Sequence, residues 1–201
     1  VSGVYALGER LQSIEQLDSY LDQLTEAADG RPEISVKIDL YPYQKIGLTW
    51  LSQRYKSREG ALLADDMGLG KTAQVIALIA EEMKRGALNR TLVVAPNSLL
   101  ANWQREFEKF SVGITPYLHW GAARLGFSSS LRRHQVVIST YATVVQDRAL
   151  FDQISFDLLV LDEASLIKNP DSQRTEVVKS LNRAHTIAMT GTPFENSPMD
   201  V

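Results

Sequence analysis

Short apolar runs and helix-length amphipathic stretches alternate along most of this 201-residue chain. From about residue 36, apolar runs fall at 61–64, 91–95, 115–118, 136–139, 158–161 and 186–189, each bounded by turn-forming residues. Runs rich in Val, Ile and Leu predict strands buried on both faces, because a strand with one wet face alternates apolar and polar positions. Between them, 44–55, 72–85, 99–110, 141–150 and 173–181 are long enough for helices. Strands alternating with helices predict an α/β fold, a mostly parallel sheet with helices on both faces. On such a sheet ligands sit at the carboxyl ends of the strands. Trp103, Phe107 and Phe110 recur at helical spacing and are expected in the core rather than as base-stacking residues. Residues 128–130 read as a short loop.

The first 35 residues follow a different pattern. Leu7, Leu11, Ile14, Leu17, Leu21 and Leu24 recur at spacings of four and three, which predicts an amphipathic helix ended by residues 27–32. The expected organisation is an acidic N-terminal helical segment over 1–35 and one domain over 36–201. The chain begins at Val1 without a methionine, so a cut or processed form is expected.

Composition narrows the classes. A hydrophobic fraction of 44% and a charged fraction of 22% suit a globular domain with a real core. There is no cysteine, hence no disulfide and no thiolate metal site. His119, His134 and His185 lie far apart and are expected at the surface or in satisfied core positions. No apolar run reaches the roughly 18 residues of a membrane span, and no secretory signal is visible. No membrane partner is expected. Net charge is −3; residues 1–35 carry seven acids against Arg10 and Arg31, so the remainder is net +2. A mildly basic body permits contacts to a phosphate backbone.

Two stretches carry chemistry. In residues 61–80 an apolar run, a glycine-bearing turn and an apolar-periodic stretch follow in the order strand, loop, helix. Gly68 and Gly70 can take positive φ and bring the backbone close to phosphate oxygens, with the helix N-terminus aimed at the same charge. Lys71 would reach the β- and γ-phosphates and Thr72 would set its hydroxyl on Mg²⁺. The pattern wants glycine at position 65, where this chain has Asp65. The second stretch answers the first. In "FDLLVLDEAS" (156–165) four apolar residues run into Asp162 and Glu163, about 90 residues beyond the loop. Asp162 is placed to hold Mg²⁺, and Glu163 to orient and deprotonate an attacking water. Together they predict nucleoside triphosphate hydrolysis.

Six segments occur in one order: "LYPYQKIGLTWL" (40–51), "LLADDMGLGKT" (62–72), "LVVAPNSLLANWQREFEKF" (92–110), "VVISTYATV" (136–144), "LLVLDEASLIKNP" (158–170) and "AMTGTPFEN" (188–196). Residues 36–201 thereby resemble the Swi/Snf-type DNA-dependent ATPases of helicase superfamily two, built on RecA-like lobes. The resemblance implies a three-layer P-loop domain that uses ATP and Mg²⁺. It implies that Gln44 recognises adenine and that Asp66, Met67, Gly68, Leu69, Gly70, Lys71 and Thr72 form the phosphate loop. Asp162 and Glu163 correspond to the Mg²⁺-binding and catalytic pair. Thr190, Gly191 and Thr192 correspond to the motif linking nucleotide state to nucleic-acid grip. Pro96, Asn97 and Ser98, with Ser139, Thr140 and Tyr141, correspond to segments that contact a DNA backbone.

Ser165 stands where relatives usually carry histidine or glutamine, so the link to 190–192 is expected to be altered while hydrolysis is not. The chain ends just past the TGTP motif. A second lobe with its arginines is expected elsewhere, and this lobe alone is expected to turn over ATP very slowly. The leading expectation is the first lobe of an ATP-driven double-stranded DNA translocase that displaces bound protein complexes, inside the cell on nucleoid or nuclear DNA. A strand-separating DNA or RNA helicase lobe and a regulatory ATP-binding module without turnover remain open.

Overall fold

The computed structural model describes residues 34–37, 39–65, 68–122 and 124–191. The amphipathic helix expected over 1–35, and Asp66, Met67 and Thr192, lie outside the described residues. In chain order the elements are β1 (Ser35–Val36), α1 (Pro42–Lys56), β2 (Ala61–Leu63), α2 (Lys71–Lys84), β3 (Thr91–Ala95), a 3₁₀ turn (Asn97–Leu99) and α3 (Leu100–Phe110). There follow β4 (Ser111–Val112), β5 (Tyr117–His119), α4 (Ser128–Arg132), β6 (Val136–Thr140), α5 (Tyr141–Gln146) and α6 (Arg148–Phe151). The last are β7 (Phe156–Leu161), a second 3₁₀ turn (Ala164–Ile167), α7 (Gln173–Ser180) and β8 (Arg183–Met189).

Six strands form one sheet in the order β2-β8-β7-β3-β6-β5, and every neighbouring pair is parallel. The apolar runs are divided between two cores by the pleat. Val93, Val136, Ile138, Leu158 and Val160 face one core, shared with α1, α2 and α3. Leu92, Val94, Val137, Leu159 and Leu161 face the other, shared with α5, α6 and α7. That division explains why the strands read as continuous apolar runs. Helix α2 is buried almost all round, with Ile76, Leu78 and Ile79 at 0% exposure. Each such side chain contributes about 1.5–3 kcal/mol, so the helix that starts at Lys71 is firmly seated.

Two readings change in detail, and one strand pairing is new. Residues 128–130 open a helical turn, α4, because Leu131 is buried and Ser128 Oγ donates to Gln153 Oε1 at 2.8 Å. The helix expected over 141–150 is broken at Asp147, whose backbone leaves helical geometry (φ −102, ψ 26). The Asp147 carboxylate accepts from Arg124 Nε at 2.6 Å and meets His119 Nε2 at 2.9 Å. The pair β1–β4 is antiparallel and only two residues long on each side, too short to leave a period in the sequence.

Candidate functional site

The strand order sets the site. At the carboxyl ends of β2, β8 and β7 stand three segments side by side: the loop 68–72, Thr190 with Gly191, and Asp162 with Glu163. At the carboxyl ends of β3, β6 and β5 stand Pro96 to Leu99, Ser139 to Tyr141, and His119 with Trp120. The halves meet where the Asp162 N–H donates to Val94 O at 2.9 Å.

In the loop, Gly68 (φ 85) and Gly70 (φ 74) adopt the left-handed conformation that only glycine takes without strain. A Cβ on Gly68 would meet nothing within 4 Å, so that side of the loop is an open cradle. A Cβ on Gly70 would lie 2.3 Å from Gln44 Nε2. Gln44 is buried against the loop. Its Nε2 donates to Leu69 O at 3.2 Å, and its Oε1 accepts from the Tyr41 N–H at 3.0 Å. Pro42 begins α1, where its missing N–H costs nothing. The helix thus presents Gln44 to the loop from its first turn, beside exposed Tyr41 and Tyr43, whose rings stack at 5.9 Å.

Lys71 Nζ donates to Asp65 O at 2.6 Å across the loop. Thr72 sits part-buried in the first turn of α2. Asp162 is 7% exposed. Burial pushes its pKa up; the Trp103 indole N–H, the Glu163 backbone N–H and the Lys71 charge oppose that rise. Glu163 follows in the left-handed conformation (φ 50, ψ 53) and is only part-buried. A non-glycine residue there costs about 1–2 kcal/mol, a strain typical of functional turns. Thr190 is buried, and its N–H donates to Leu63 O at 3.2 Å, fastening the end of β8 to the end of β2. Ser165 is part-buried in the 3₁₀ turn that follows Glu163.

A glycine-bearing loop at the start of a helix, an amine across it and one buried carboxylate suit a nucleotide phosphate. Among the described residues, no group of three or more His, Asp or Glu side chains could hold a metal ion alone.

On the other half, a cavity of about 360 Å³ is lined by Pro96, Asn97, Trp120, Thr140, Tyr141 and Arg174, among others. Asn97 and Ser98 are exposed; Ser139 is fully buried. Its hydroxyl donates to His119 O at 2.9 Å, so it is spent inside the fold. Thr140 caps α5 through its Oγ1, which accepts from the Thr143 N–H at 3.0 Å. The Tyr141 hydroxyl donates to Asp162 O at 2.8 Å. Burial raises its pKa above the usual phenol value. A larger cavity, about 580 Å³, lies along α1 and α2 and is lined by none of the site residues above.

Sequence reasoning missed four contributions. Trp103 is in the core, as its spacing predicts, yet its Nε1 also donates to Asp162 Oδ2 at 2.8 Å. A buried indole N–H needs an acceptor, and that was the available signal. The Tyr141 hydroxyl, Arg174 and Trp120 left none, since their neighbours are remote in sequence.

Residues 43–201 match the SNF2-related domain. YwqA of Bacillus subtilis (strain 168) is 38% identical over 190 residues, which cover 90% of this chain and 20% of that protein. Helicase SWR1 of Mycosarcoma maydis is 36% identical over 199 residues, 96% of this chain and 10% of that protein. Among solved structures, the Sulfolobus solfataricus SWI2/SNF2 ATPase core in complex with dsDNA superposes with a TM-score of 0.75 at 35% identity. The alignment covers 84% of this chain and 35% of that one. The chain thus spans a fifth or less of these two curated relatives and about a third of the solved core.

Proposed function

Because the chain belongs to the SNF2-related domain family, we propose that it is the ATP-binding first RecA-like lobe of an ATP-driven double-stranded DNA translocase. The observation that carries this reading is the order of segments along one sheet edge. The loop 68–72, the 190–191 turn and the acid pair stand together, and the Asn97 and Thr140 segments continue the same edge.

In this reading the N–H groups of residues 68–72 and the N-terminus of α2 hold the phosphates. Lys71 exchanges the Asp65 carbonyl for β- and γ-phosphate oxygens. Thr72 and Asp162 would hold Mg²⁺, which when bound offsets the charge on the transferring phosphoryl group. Glu163 orients the attacking water and accepts its proton. Gln44 offers adenine its remaining N–H and lone pair. Asp66 and Met67 complete the loop, and Thr190 to Thr192 with Ser165 link the nucleotide to the DNA grip. Pro96, Asn97, Ser98 and Thr140 bound the DNA face, where contacts go to the backbone and carry little sequence preference. The dsDNA-bound core with the same fold supports this assignment. A second lobe completes the site, and the protein works inside the cell on DNA.

The test is steady-state ATPase of the intact gene product with duplex DNA or single-stranded RNA. Acceleration by duplex DNA, lost in Glu163→Gln, is expected. Acceleration by RNA alone would replace the reading with an RNA helicase. Tight ATP binding with no turnover would replace it with a regulatory module.

A further inference from the structure

Two hydrogen bonds leave the Asn97–Thr140 half of the sheet edge and end on one residue. Trp103 lies one turn into α3, which continues directly from the exposed Asn97–Leu99 turn. Its side chain is fully buried, and Nε1 donates to Asp162 Oδ2 at 2.8 Å. Tyr141 opens α5 directly after Thr140, and its hydroxyl donates to Asp162 O at 2.8 Å. The Tyr141 side of α5 is also a wall of the 360 Å³ cavity, with Pro96, Asn97 and Arg174. The Arg174 guanidinium stands over the Tyr141 ring, 5.9 Å from its centre. A cationic group and an exposed amide therefore border a space that is one side chain away from the acid pair.

Besides its N–H, which is tied to Val94 O, Asp162 is held at three further points. Trp103 grips one carboxylate oxygen, the Glu163 N–H grips the other at 2.9 Å, and Tyr141 grips the carbonyl. That carbonyl belongs to the peptide joining Asp162 to Glu163, and the same peptide sets where the left-handed Glu163 points. The Trp103 bond to the carboxylate is of the short, directional kind made to a charged group, and the Tyr141 bond fixes the neutral carbonyl beside it, so a shift of either donor disturbs its acceptor. Phenylalanine at position 141 would fill the same space without making the bond; at 103 it would remove the donor and leave a small void in the core.

We propose that Trp103 and Tyr141 are positioning residues that transmit occupancy of the cavity by a nucleic-acid backbone to Asp162 and Glu163. Nucleic acid then accelerates hydrolysis by orienting the acids and not by tightening nucleotide binding. This rests on the reading of Asp162 and Glu163 given above.

The test uses the intact gene product with Trp103→Phe and Tyr141→Phe, each of which removes one donor and keeps a ring. kcat and KM for ATP are measured with and without saturating duplex DNA, and duplex affinity by anisotropy of a labelled oligonucleotide. The ratio of stimulated to basal kcat is expected to fall about tenfold in each variant, the effect of one lost orienting bond. KM for ATP and duplex affinity stay within about threefold. Equal loss of basal and stimulated rates, or an unchanged ratio in both variants, overturns the proposal and leaves the bonds a purely structural role. If Trp103→Phe does not fold, the Tyr141→Phe ratio decides alone. If the wild-type protein is not accelerated by any nucleic acid, the functional reading has failed and the proposal falls with it. That outcome is separable, because it appears before any substitution is made.

Discussion

The carboxyl ends of β2, β8 and β7 and those of β3, β6 and β5 lie on one sheet edge but are built differently. On the first side the exposed geometry is main chain: two left-handed glycines, open space beside Gly68 and the start of α2. On the second side it is side chains, most of them already committed to each other. Ser139 is tied to His119, Thr140 to Thr143, Tyr141 to Asp162, and Asp147 to both His119 and Arg124. The first side is suited to a ligand of fixed shape and charge, such as a polyphosphate. Among the described residues, the second offers chiefly its outermost groups, such as Asn97, Ser98, Trp120 and Arg174, to a partner, which suits a repetitive backbone met at a few points.

The largest effect tests the first side. Glu163→Gln in the intact gene product should lower ATP turnover by about 10²–10⁴-fold while ATP still binds. Turnover near wild type would move the base elsewhere. Next come the two glycines, which separate backbone strain from crowding. Gly70→Ala must hold φ 74 and push Gln44 away, whereas Gly68→Ala meets only its φ of 85. Denaturant melts should show a loss of about 2–3 kcal/mol for Gly70→Ala and about 1 kcal/mol for Gly68→Ala. Equal losses would mean that Gln44 is not held where the structure has it.

On the second side, buried and exposed polar residues should behave oppositely. Ser139→Ala leaves a buried carbonyl without its hydroxyl donor and should cost about 1 kcal/mol of stability, with duplex affinity nearly unchanged. Asn97→Ala should weaken duplex binding by about threefold to tenfold and leave the melt unmoved. The reverse pattern would erase the distinction. The smallest effect is in pH. Burial lowers the pKa of His119, His134 and His185 below 6.5, opposed at His119 by Asp147. The folded chain then binds fewer protons than the unfolded chain as pH falls through 6.5, so stability present at neutral pH is lost on acidification. The raised pKa of Asp162 has the opposite sign and acts when that carboxyl titrates. Tm should therefore fall by a few degrees between about pH 7.5 and pH 5.5. A flat profile would show the three rings to be solvated.

Much of this was legible in the sequence because the signals are local. The strand 91–95 is found where its apolar run lies, and β2, β6, β7 and β8 differ from expectation only at their ends. The glycine turn and the acid-terminated strand are read from contiguous residues. What was not legible depends on partners far along the chain. Trp103 and Asp162 are 59 positions apart, and nothing near Trp103 announces its acceptor. The break at Asp147 comes from Arg124 and His119, which are 23 and 28 positions away. The neighbours of each strand are likewise set by the sheet as a whole and by no single segment.

The edge position of β2 has a consequence for synthesis. Among the described residues its only strand partner is β8, with Leu62 opposite Ala188. A ribosome adding about 5–20 residues per second makes β2 many seconds before that partner exists. Until Met189 has left the exit tunnel, the strand leading into the phosphate loop has nowhere to dock. A stop codon before Arg183 should therefore yield a product that ATP does not protect from proteolysis, whereas the chain through Met189 should be protected.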